Sequence, residues 1–543
     1  MHVSTAELRD FSIDSKRLAL ISCLAIVVGL GGAFLAKILL VLISGITHLA
    51  YLGTWGSTLI PPDPRHWGPI SIAIPVAGGL IVGCIARFGS EKIRGHGIPE
   101  AIHSILEGES IIQARVAFWK PLASAIAIGT GSPFGAEGPI IMTGGAFGSL
   151  FAQYLHLSSL ERRTLLVAGA AAGMAATFGA PIASVLIAVE LLLFEWRPRS
   201  FIPVAVAAFV ADYARTFLIG SQPPFAVTHA SSATISALGW ALAVGICGGL
   251  VSMLMTKLVY LVEDAYDHLP LHWMWWPALG GLVVGIGGWF VPAALGVGYP
   301  TIAALVNGHM AIGLAAGVIV VKIVIWIASL SSGTSGGVLA PLLMIGAAMG
   351  TLLAQVIPGH DGAVWAIVGM AALMGGTMRA PFMGTLFALE TTHAWSLAPD
   401  IFVGCVAATA FTVVFVPRSI LTEKLSRRGT HVSRDYAVHP LELIAVKEAM
   451  RAPQGDRPSV SIGANARVRS AADSMASTGA RSLAVLDENG AWIGIMEPDD
   501  LLRAWKKGVV AEDRRRRVRR LREPLLRVRK AVKQLSKRPE AGS

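Results

Sequence analysis

Hydrophobic residues dominate the chain up to about position 416 and are divided into segments of unequal length. The apolar stretches cover about residues 17–50, 69–88, 121–130, 164–195, 201–219, 233–261, 274–296, 311–330, 338–357, 363–395 and 400–416. A helix needs about 20 apolar residues to cross the hydrocarbon core of a bilayer, and several stretches are shorter. The pattern therefore predicts an all-α polytopic bundle in which full-length and broken helices are combined.

Composition agrees with a membrane location. Of the 543 residues, 54% are hydrophobic and only 15% are charged, and the mean hydropathy is +0.62. Such a chain cannot cover itself with a water-soluble surface, so we expect an integral membrane protein. The 59 glycines and 29 prolines fall largely inside the apolar segments. Helices that stop within a membrane must line a polar path, because lipid cannot satisfy their free backbone groups.

An internal repeat divides the hydrophobic region. The block 139–153 recurs at 341–355 with Pro, Met, Gly, Gly, Leu, Ala and Gln at matching places, an offset of 202 residues. A second block, 177–190, recurs at 377–390 with an offset of 200. Two homologous halves in one membrane domain are typical of transport proteins, which bind their substrate where the repeats meet.

Glycine-rich turns suggest the charge of that substrate. The turns Gly95–Pro99, Gly129–Pro133 and Gly333–Pro341 each precede a sequence that favours a helix. A helix N-terminus carries roughly half a positive charge and free N–H groups, so several converging N-termini would bind an anion. Such a site holds the ion weakly, and weak binding lets a permeating ion leave.

Glu137 is an ionisable residue within the glycine- and proline-rich run Gly131–Met142. A carboxylate buried in a membrane is costly and is usually functional. An ionised carboxylate can occupy an anion site by mimicking the ion, and its protonation or displacement frees the path. We therefore expect anion flux to rise as pH falls. The alternative is a glutamate held permanently by helix N–H groups.

These motifs resemble the CLC family of chloride channels and chloride/proton antiporters over about residues 15–430. Gly95–Pro99 is similar to the family's Gly-Ser-Gly-Ile-Pro, Gly135–Pro139 to its Gly-Arg/Lys-Glu-Gly-Pro, and Gly337–Pro341 to its Gly-x-Phe-x-Pro. Lys120 matches a basic position of the family. The resemblance implies an inverted-repeat helical fold, a homodimer of the voltage-gated channel class with one pathway per subunit, and a gating role for Glu137. It assigns anion binding to Gly95, His96, Gly97, Ile98, Gly135, Ala136, Gly138, Val338, Leu339 and Leu421.

Some positions depart from the family pattern. His96 replaces a serine that helps to hold the anion, and it either donates to the anion or caps a helix or faces water. Leu339 replaces a phenylalanine, and Leu421 stands where an anion-coordinating tyrosine is expected. Leu191 replaces the internal proton-relay glutamate of the antiporters, whereas Glu190 is retained and has a repeat mate at Glu390.

Leucine cannot carry a proton, so the departures favour a passive channel. A proton-coupled antiporter stays open as the alternative, since His96 or Glu190 offers another titratable step and some antiporters lack this glutamate. Glu190 and Leu191 therefore mark the candidate proton pathway. Chloride is the favoured anion, with nitrate, bromide and fluoride as alternatives, because backbone amides do not distinguish between them.

The pattern of the C-terminal part of the chain predicts a small α/β module over about 431–505. Arg481–Gly490, Trp492–Met496 and Asp499–Leu502 predict a strand, an Asn-Gly turn, a second strand and a helix. This resembles a single CBS motif, whose exposed face could pack on the other subunit's copy. Glu497 stands where a threonine is common, which argues against nucleotide binding and leaves a folding or dimer-support role. We expect no cofactor and no metal; the four cysteines lie in apolar segments as packing residues.

A basic tail covers 506–543. From residue 503 onward, 16 Lys/Arg oppose 4 Asp/Glu, a balance of +12 that leaves −1 of the total +11 for the rest of the chain. We expect contact with anionic lipid heads rather than with nucleic acid. Residues 1–16 predict a cytoplasmic segment before a transmembrane domain of 17–430, with repeats at about 17–219 and 233–425. Both termini are expected in the cytoplasm, at a bacterial-type inner or plasma membrane.

Enzymatic and cation-transport functions are disfavoured. The chain has no His-Glu-x-x-His sequence, no nucleophile elbow and no paired catalytic aspartates. Cation sites need several carboxylates or helix C-terminal carbonyls, and the acids in the apolar segments are few and separated.

Overall fold

The computed structural model describes residues 15–193, 196–227, 235–358, 362–427, 441 and 444–506. They fall into two compact units, one within 13–434 and the other within 435–543. The predicted segment up to residue 14 and the tail after residue 506 lie outside the described residues. Each unit is described by itself.

The larger unit is built from two consecutive sets of helices. The first set consists of α1 (Ser15–Leu52), α2 (Ala73–Phe88), α3 (Ile98–Leu106), α4 (Ala114–Gly129), α5 (Glu137–Tyr154), α6 (Ser159–Phe178), α7 (Pro181–Ile187) and α8 (Pro198–Leu218). The second set consists of α9 (Ile235–Asp267), α10 (Trp276–Phe290), α11 (Tyr299–Val306), α12 (Ile312–Ser331), α13 (Leu339–Leu353), α14 (Gly362–Met378), α15 (Pro381–Thr392) and α16 (Ala398–Phe415). A shorter helix, α17 (Ile420–Arg427), follows. Each helix of the first set has a counterpart at the same place in the second, so the repeat extends well beyond the two blocks visible in the sequence.

Helix lengths confirm the mixture of full and broken helices. Among the described residues, six helical segments are long and apolar enough to span a membrane. They are Ser15–Leu52, Gly68–Phe88, Pro198–Leu218, Ile235–Asp267, Ile312–Ser331 and Trp395–Arg427. By contrast, α3 and α11 contain only 9 and 8 residues. At about 1.5 Å per residue these two cannot cross a hydrocarbon core.

The two halves are related by an approximate two-fold axis, and reciprocal contacts between α2 and α10 display this relation. A Cβ added to Gly79 would lie 2.2 Å from the carbonyl oxygen of Pro277. A Cβ added to Gly281 would lie 2.3 Å from the carbonyl oxygen of Pro75. The same contact is therefore made twice with the partners exchanged, as two-fold-related halves require. Only glycine permits so close an approach of two backbones.

Some helix boundaries differ from those that the hydrophobic pattern predicts. The stretch 164–195 is divided into α6, α7 and a π-helical turn over Ala188–Leu193. Gly179 ends α6 in the left-handed conformation and Pro181 opens α7. The turn Gly129–Pro133 does not open a helix, because Gly129 ends α4 and α5 begins only at Glu137. Helix α4 also begins earlier than predicted, since polar residues near its start conceal it from a hydropathy pattern.

The smaller unit contains a three-stranded sheet. Strands β1 (Ser461–Gly463), β2 (Leu483–Leu486) and β3 (Trp492–Met496) lie in that order, with β1 parallel and β3 antiparallel to β2. Helices α18 (Val446–Ala449) and α19 (Val468–Thr478) accompany them, and residues 498–506 are helical. The predicted order of strand, Asn-Gly turn, strand and helix is confirmed.

Candidate functional site

Helices α5 and α13 begin side by side in the core of the larger unit. Gly135 and Gly337, which precede them, form an antiparallel bridge. The N–H of Gly337 donates to the Gly135 carbonyl at 3.0 Å, and the N–H of Gly135 donates to the Gly337 carbonyl at 3.4 Å. A helix leaves its first N–H groups without intrahelical acceptors, so both helices bring such groups to this junction. Two N-termini, one from each repeat, therefore meet as the sequence predicts.

Glu137 is the first residue of α5 and lies at this junction. Its relative exposure is 0%. Neither carboxylate oxygen has a hydrogen-bond partner among the residues that the structure describes. The backbone N–H groups of Glu137 and Ala340 are the nearest attractive dipoles, and Lys322 adds a positive charge at longer range. A buried acceptor in this state carries an uncompensated desolvation cost, which is unusual in a native protein.

The carboxylate of Glu137 rests on the two bridging glycines. A Cβ added to Gly135 would lie 1.7 Å from Oε2, and a Cβ added to Gly337 would lie 2.6 Å from the same atom. The carboxylate can occupy this position against Gly135 and Gly337, called its seat below, only because both residues lack a side chain. The glycines of the repeat have a steric role here that their spacing alone did not reveal.

Helix α3 brings the first glycine-rich turn to the same place. Gly95 and Gly97 adopt positive φ values of 84° and 90°, which favour glycine. A Cβ on Gly138 would lie 2.1 Å from the His96 carbonyl oxygen, so this turn packs directly on the start of α5. His96 is 2% exposed, which rules out the reading in which it faces water.

The predicted anion-binding residues are thus partly gathered. Ile98, Ala136 and Val338 are fully buried at the starts of their helices, and Leu339 is 1% exposed as the first residue of α13. Leu421 is fully buried in α17, which packs against α3 and α14. Its side chain is apolar, so the described site holds no hydroxyl at that position.

A fourth glycine-rich turn was not predicted from the sequence. Gly296–Pro300 repeats the Gly-x-Gly-x-Pro pattern of Gly95–Pro99 at an offset of 201. It opens α11, with Gly298 at a φ of 73°. The offset, intermediate between the 202 and 200 already recognised, was the signal that would have identified it.

A buried lysine holds each of the two related turns. Lys120 Nζ donates to the carbonyl oxygens of Ile93 and Gly95 at 2.7 and 2.6 Å. Lys322 Nζ donates to those of Ala294 and Gly296 at 2.8 and 3.1 Å. By binding two carbonyl oxygens, each lysine fixes the conformation of its turn.

Glu190 and Glu390 hold helix starts across the repeat. The Glu390 carboxylate accepts hydrogen bonds from the N–H groups of Ile182 and Ala183 at 3.0 and 2.8 Å. Glu190 accepts one from Met383 at 3.0 Å. Each acid thus caps the helix that carries its mate, in agreement with the shared structural role that the repeat predicts. Leu191, beside Glu190, is 1% exposed and contributes no ionisable group.

A cavity of about 640 Å³ lies next to α3 and reaches Met142 of α5. Its wall carries both signs of charge, including Glu100 and Lys424. A Cβ on Gly95 would lie 2.8 Å from Lys424 Nζ, so a cation stands beside the first turn. The cavity therefore borders the first glycine-rich turn and α5.

The comparisons with known proteins identify the family. Residues 78–413 match the model of the voltage-gated chloride channel family. The chain belongs to this family, known as CLC. It is 32% identical over 355 residues to a voltage-gated ClC-type chloride channel ClcB from Citrobacter koseri, which covers 62% of this chain and 83% of that protein. It is 31% identical over 372 residues to the protein of that name from Shigella flexneri, covering 66% and 86%.

Solved structures show the same CLC fold. The structure of a slow cyanobacterial Cl⁻/H⁺ antiporter superposes with a TM-score of 0.68 at 24% identity, covering 77% of this chain and 99% of that one. A CLC-type fluoride/proton antiporter gives 0.64 at 19% identity, covering 76% and 98%. Family membership confirms the predicted resemblance and membrane location, and it agrees with a transporter or channel rather than an enzyme. The family match ends at residue 413, so the CBS-like motif stays a prediction.

In the smaller unit, the Asp500 carboxylate is fully engaged. Asp500 is 1% exposed and accepts hydrogen bonds from Arg451 Nε at 2.9 Å and Arg503 Nη2 at 2.6 Å. The N–H of Glu497 donates to it at 2.9 Å. The carboxylate raises the pKa of the Arg451 guanidinium, so the guanidinium stays charged. A ribose hydroxyl would have to displace these donors to reach Asp500.

Proposed function

We propose that this CLC protein transports a small monovalent anion, chloride foremost, through one pathway per subunit that passes the junction of α3, α5 and α13. The observation that carries the proposal is Glu137, fully buried where helix N-termini meet and without a hydrogen-bond partner among the described residues. Backbone N–H groups that attract a carboxylate also attract a chloride ion. The names of the ClcB relatives support chloride as the first ion to test.

We infer that Glu137 is the gate. Its ionised carboxylate occupies the position of an anion and closes the path, and protonation or rotation of the side chain vacates it. Its oxygens make no hydrogen bond in the described structure, and the N–H groups of Glu137 and Ala340 attract the carboxylate without holding it by such a bond. This supports a side chain that moves. The alternative of a permanently capped glutamate would require such bonds.

Passive conduction is the transport mode that we propose. Leu191 occupies the position of the antiporters' proton-relay glutamate, and Glu190 is engaged in capping α15. The second candidate is proton-coupled exchange, which the Cl⁻/H⁺ and fluoride/proton antiporters among the structural neighbours favour. Nitrate, bromide and fluoride remain alternative substrates, since His96, Leu339 and Leu421 depart from the family pattern.

The same proposal covers the assembly. We expect a homodimer in a bacterial-type inner or plasma membrane with both termini in the cytoplasm. The expected domains are 17–430 in the membrane, a CBS-like module at 431–505 that supports folding or dimerisation without a nucleotide, and a basic tail at 506–543 that binds anionic lipid.

The gate is tested by Glu137→Gln in vesicles containing the purified full-length protein. A neutral side chain no longer competes with the anion, so chloride efflux should increase and lose its rise with acidification. The matched control is Glu448→Gln, which removes a charge from an exposed position of the smaller unit. Efflux that keeps the wild-type pH dependence in Glu137→Gln would refute the gate.

Coupling is tested separately by imposing a proton gradient on the same vesicles. A passive channel leaves chloride at its own equilibrium, whatever the proton gradient. Proton uptake driven by a chloride gradient would establish the antiporter instead. Replacing chloride by a large impermeant anion distinguishes anion transport from cation transport, because only the former is abolished.

A further inference from the structure

The turns that open α3 and α11 are related by the repeat but differ in their chemistry. In the first, Glu100 Oε2 accepts a hydrogen bond from the N–H of Gly97 at 2.9 Å, so an acidic side chain already neutralises the helix start. In the second, Thr301 occupies the corresponding place and donates to the Ala293 carbonyl at 3.0 Å. The first turn of α11 contains no acidic residue. Its dipole is therefore available to an external anion.

Tyr299, the first residue of α11, places a hydroxyl in this region. Its ring packs among aromatic side chains, with centroid distances of 5.8 Å to Phe178 and 5.7 Å to Phe225. The hydroxyl oxygen is buried and has no hydrogen-bond partner within the described part of the chain. A buried tyrosine hydroxyl normally has a hydrogen-bond partner, so a bound ligand would satisfy this one.

A carboxylate and an ammonium group belong to the surroundings of α11. Tyr299 interacts electrostatically with Glu137. Lys322, on the neighbouring α12, also interacts with Glu137, and its Nζ lies 3.8 Å from the position of a Cβ on Gly298. The region thus combines a hydroxyl donor, an ammonium group and an open helix N-terminus. The Glu137 carboxylate, which lacks a hydrogen-bond partner among the described residues, is the negative group that interacts with both Tyr299 and Lys322.

We propose that Tyr299 is a ligand of the permeating anion, donating its hydroxyl at a position built by the second repeat beside Glu137. The inference rests on the proposed function and assigns it a specific donor. The ligand class is a small monovalent anion that accepts hydrogen bonds from O–H and N–H groups. Tyr299 would also favour anions that accept strong hydrogen bonds over larger and more weakly hydrated ones.

The test is Tyr299→Phe in the purified full-length protein, with chloride binding measured by calorimetry and chloride efflux measured in vesicles. Removing one hydrogen bond to an ion should raise the Kd for chloride about 10-fold or more. The matched control is Tyr266→Phe, which removes a hydroxyl that donates to the Ala328 carbonyl at 3.2 Å in another part of the bundle. This variant should keep the wild-type Kd.

A second measurement separates an anion ligand from a residue that only positions the gate. In the Glu137→Gln background, Tyr299→Phe should still raise the Kd by a similar factor, because the anion itself has lost the donor. A Kd that is unchanged in either background, in protein that elutes and melts like the wild type, would overturn the inference while leaving the proposed function intact. Wild-type protein that neither binds nor transports chloride, bromide, nitrate or fluoride would overturn both.

Discussion

The seat of Glu137 on the two bridging glycines makes a quantitative prediction for Gly135→Ala. The new Cβ would lie 1.7 Å from Oε2 and 2.3 Å from Cδ of Glu137, and the three atoms nearest to it all belong to this side chain. Ordinary contact begins at 3.4 Å, so Oε2 must move by at least 1.7 Å, the difference between the two distances. Gly135 does not have a positive φ, so alanine fits its backbone. The substitution therefore acts on the carboxylate and spares the backbone bridge.

The expected size of the effect follows from overpacking. Holding the carboxylate in its seat against a methyl group would cost about 1–3 kcal/mol. If this cost falls on the closed state alone, the ratio of open to closed states rises by about 5- to 150-fold. Chloride efflux at neutral pH should increase accordingly. The increase should shrink at low pH, where protonation vacates the seat in the wild type as well.

The assay is chloride efflux from vesicles over a range of pH. Gly145→Ala, in the helix that Glu137 begins, is the matched control. Its Cβ would meet its nearest neighbours, atoms of Leu166, at an ordinary 3.4 Å. In the Glu137→Ala background, Gly135→Ala should have no further effect, since no carboxylate remains to be displaced. Folded Gly135→Ala protein with wild-type efflux and pH dependence would refute the reasoning.

Two further predictions concern structural roles. Glu390→Gln loses one of two N–H hydrogen bonds to a charged acceptor, so it should lower the stability measured in thermal unfolding by about 1.5–3 kcal/mol and leave anion selectivity unchanged. Glu190→Gln should lose less stability. Equal stability of Glu390→Gln and the wild type would contradict the capping role. The smaller unit should bind neither AMP nor ATP in calorimetry at about 1 mM, because Arg451 and Arg503 engage Asp500. A Kd of about 1 mM already corresponds to very weak binding. Saturable binding below that concentration would show that these ion pairs open.

Much of the candidate site could be predicted because its signals are local. Glycine and proline mark helix starts, and an acid among them in an apolar region is conspicuous. Glu137 and the turns at Gly95 and Gly337 were found in this way. The turn at Gly296 was not predicted, although the repeat offset would have located it.

The engagement of particular acids could not be predicted from the sequence. The sequence identifies Glu190 and Glu390 as a repeated pair. That each carboxylate accepts N–H hydrogen bonds from a helix start in the other repeat depends on atoms about 200 positions apart in the chain. The same holds for Asp500, which the fold pairs with Arg451, 49 positions away in the chain. Hydrogen-bond partners of this kind are fixed by distance in space, which sequence spacing does not encode.

By itself, the sequence determined the membrane location, the duplicated architecture and the type of residue at each helix start, since hydropathy, period and backbone preference are properties of neighbouring residues. The tertiary structure decided that Gly135 and Gly337 form a bridge, that the Glu137 carboxylate rests on them without a partner in the described chain, and that Tyr299 lies within its electrostatic reach. These relations depend on bringing the two repeats together around a common axis, so they appear only when both halves are folded against each other.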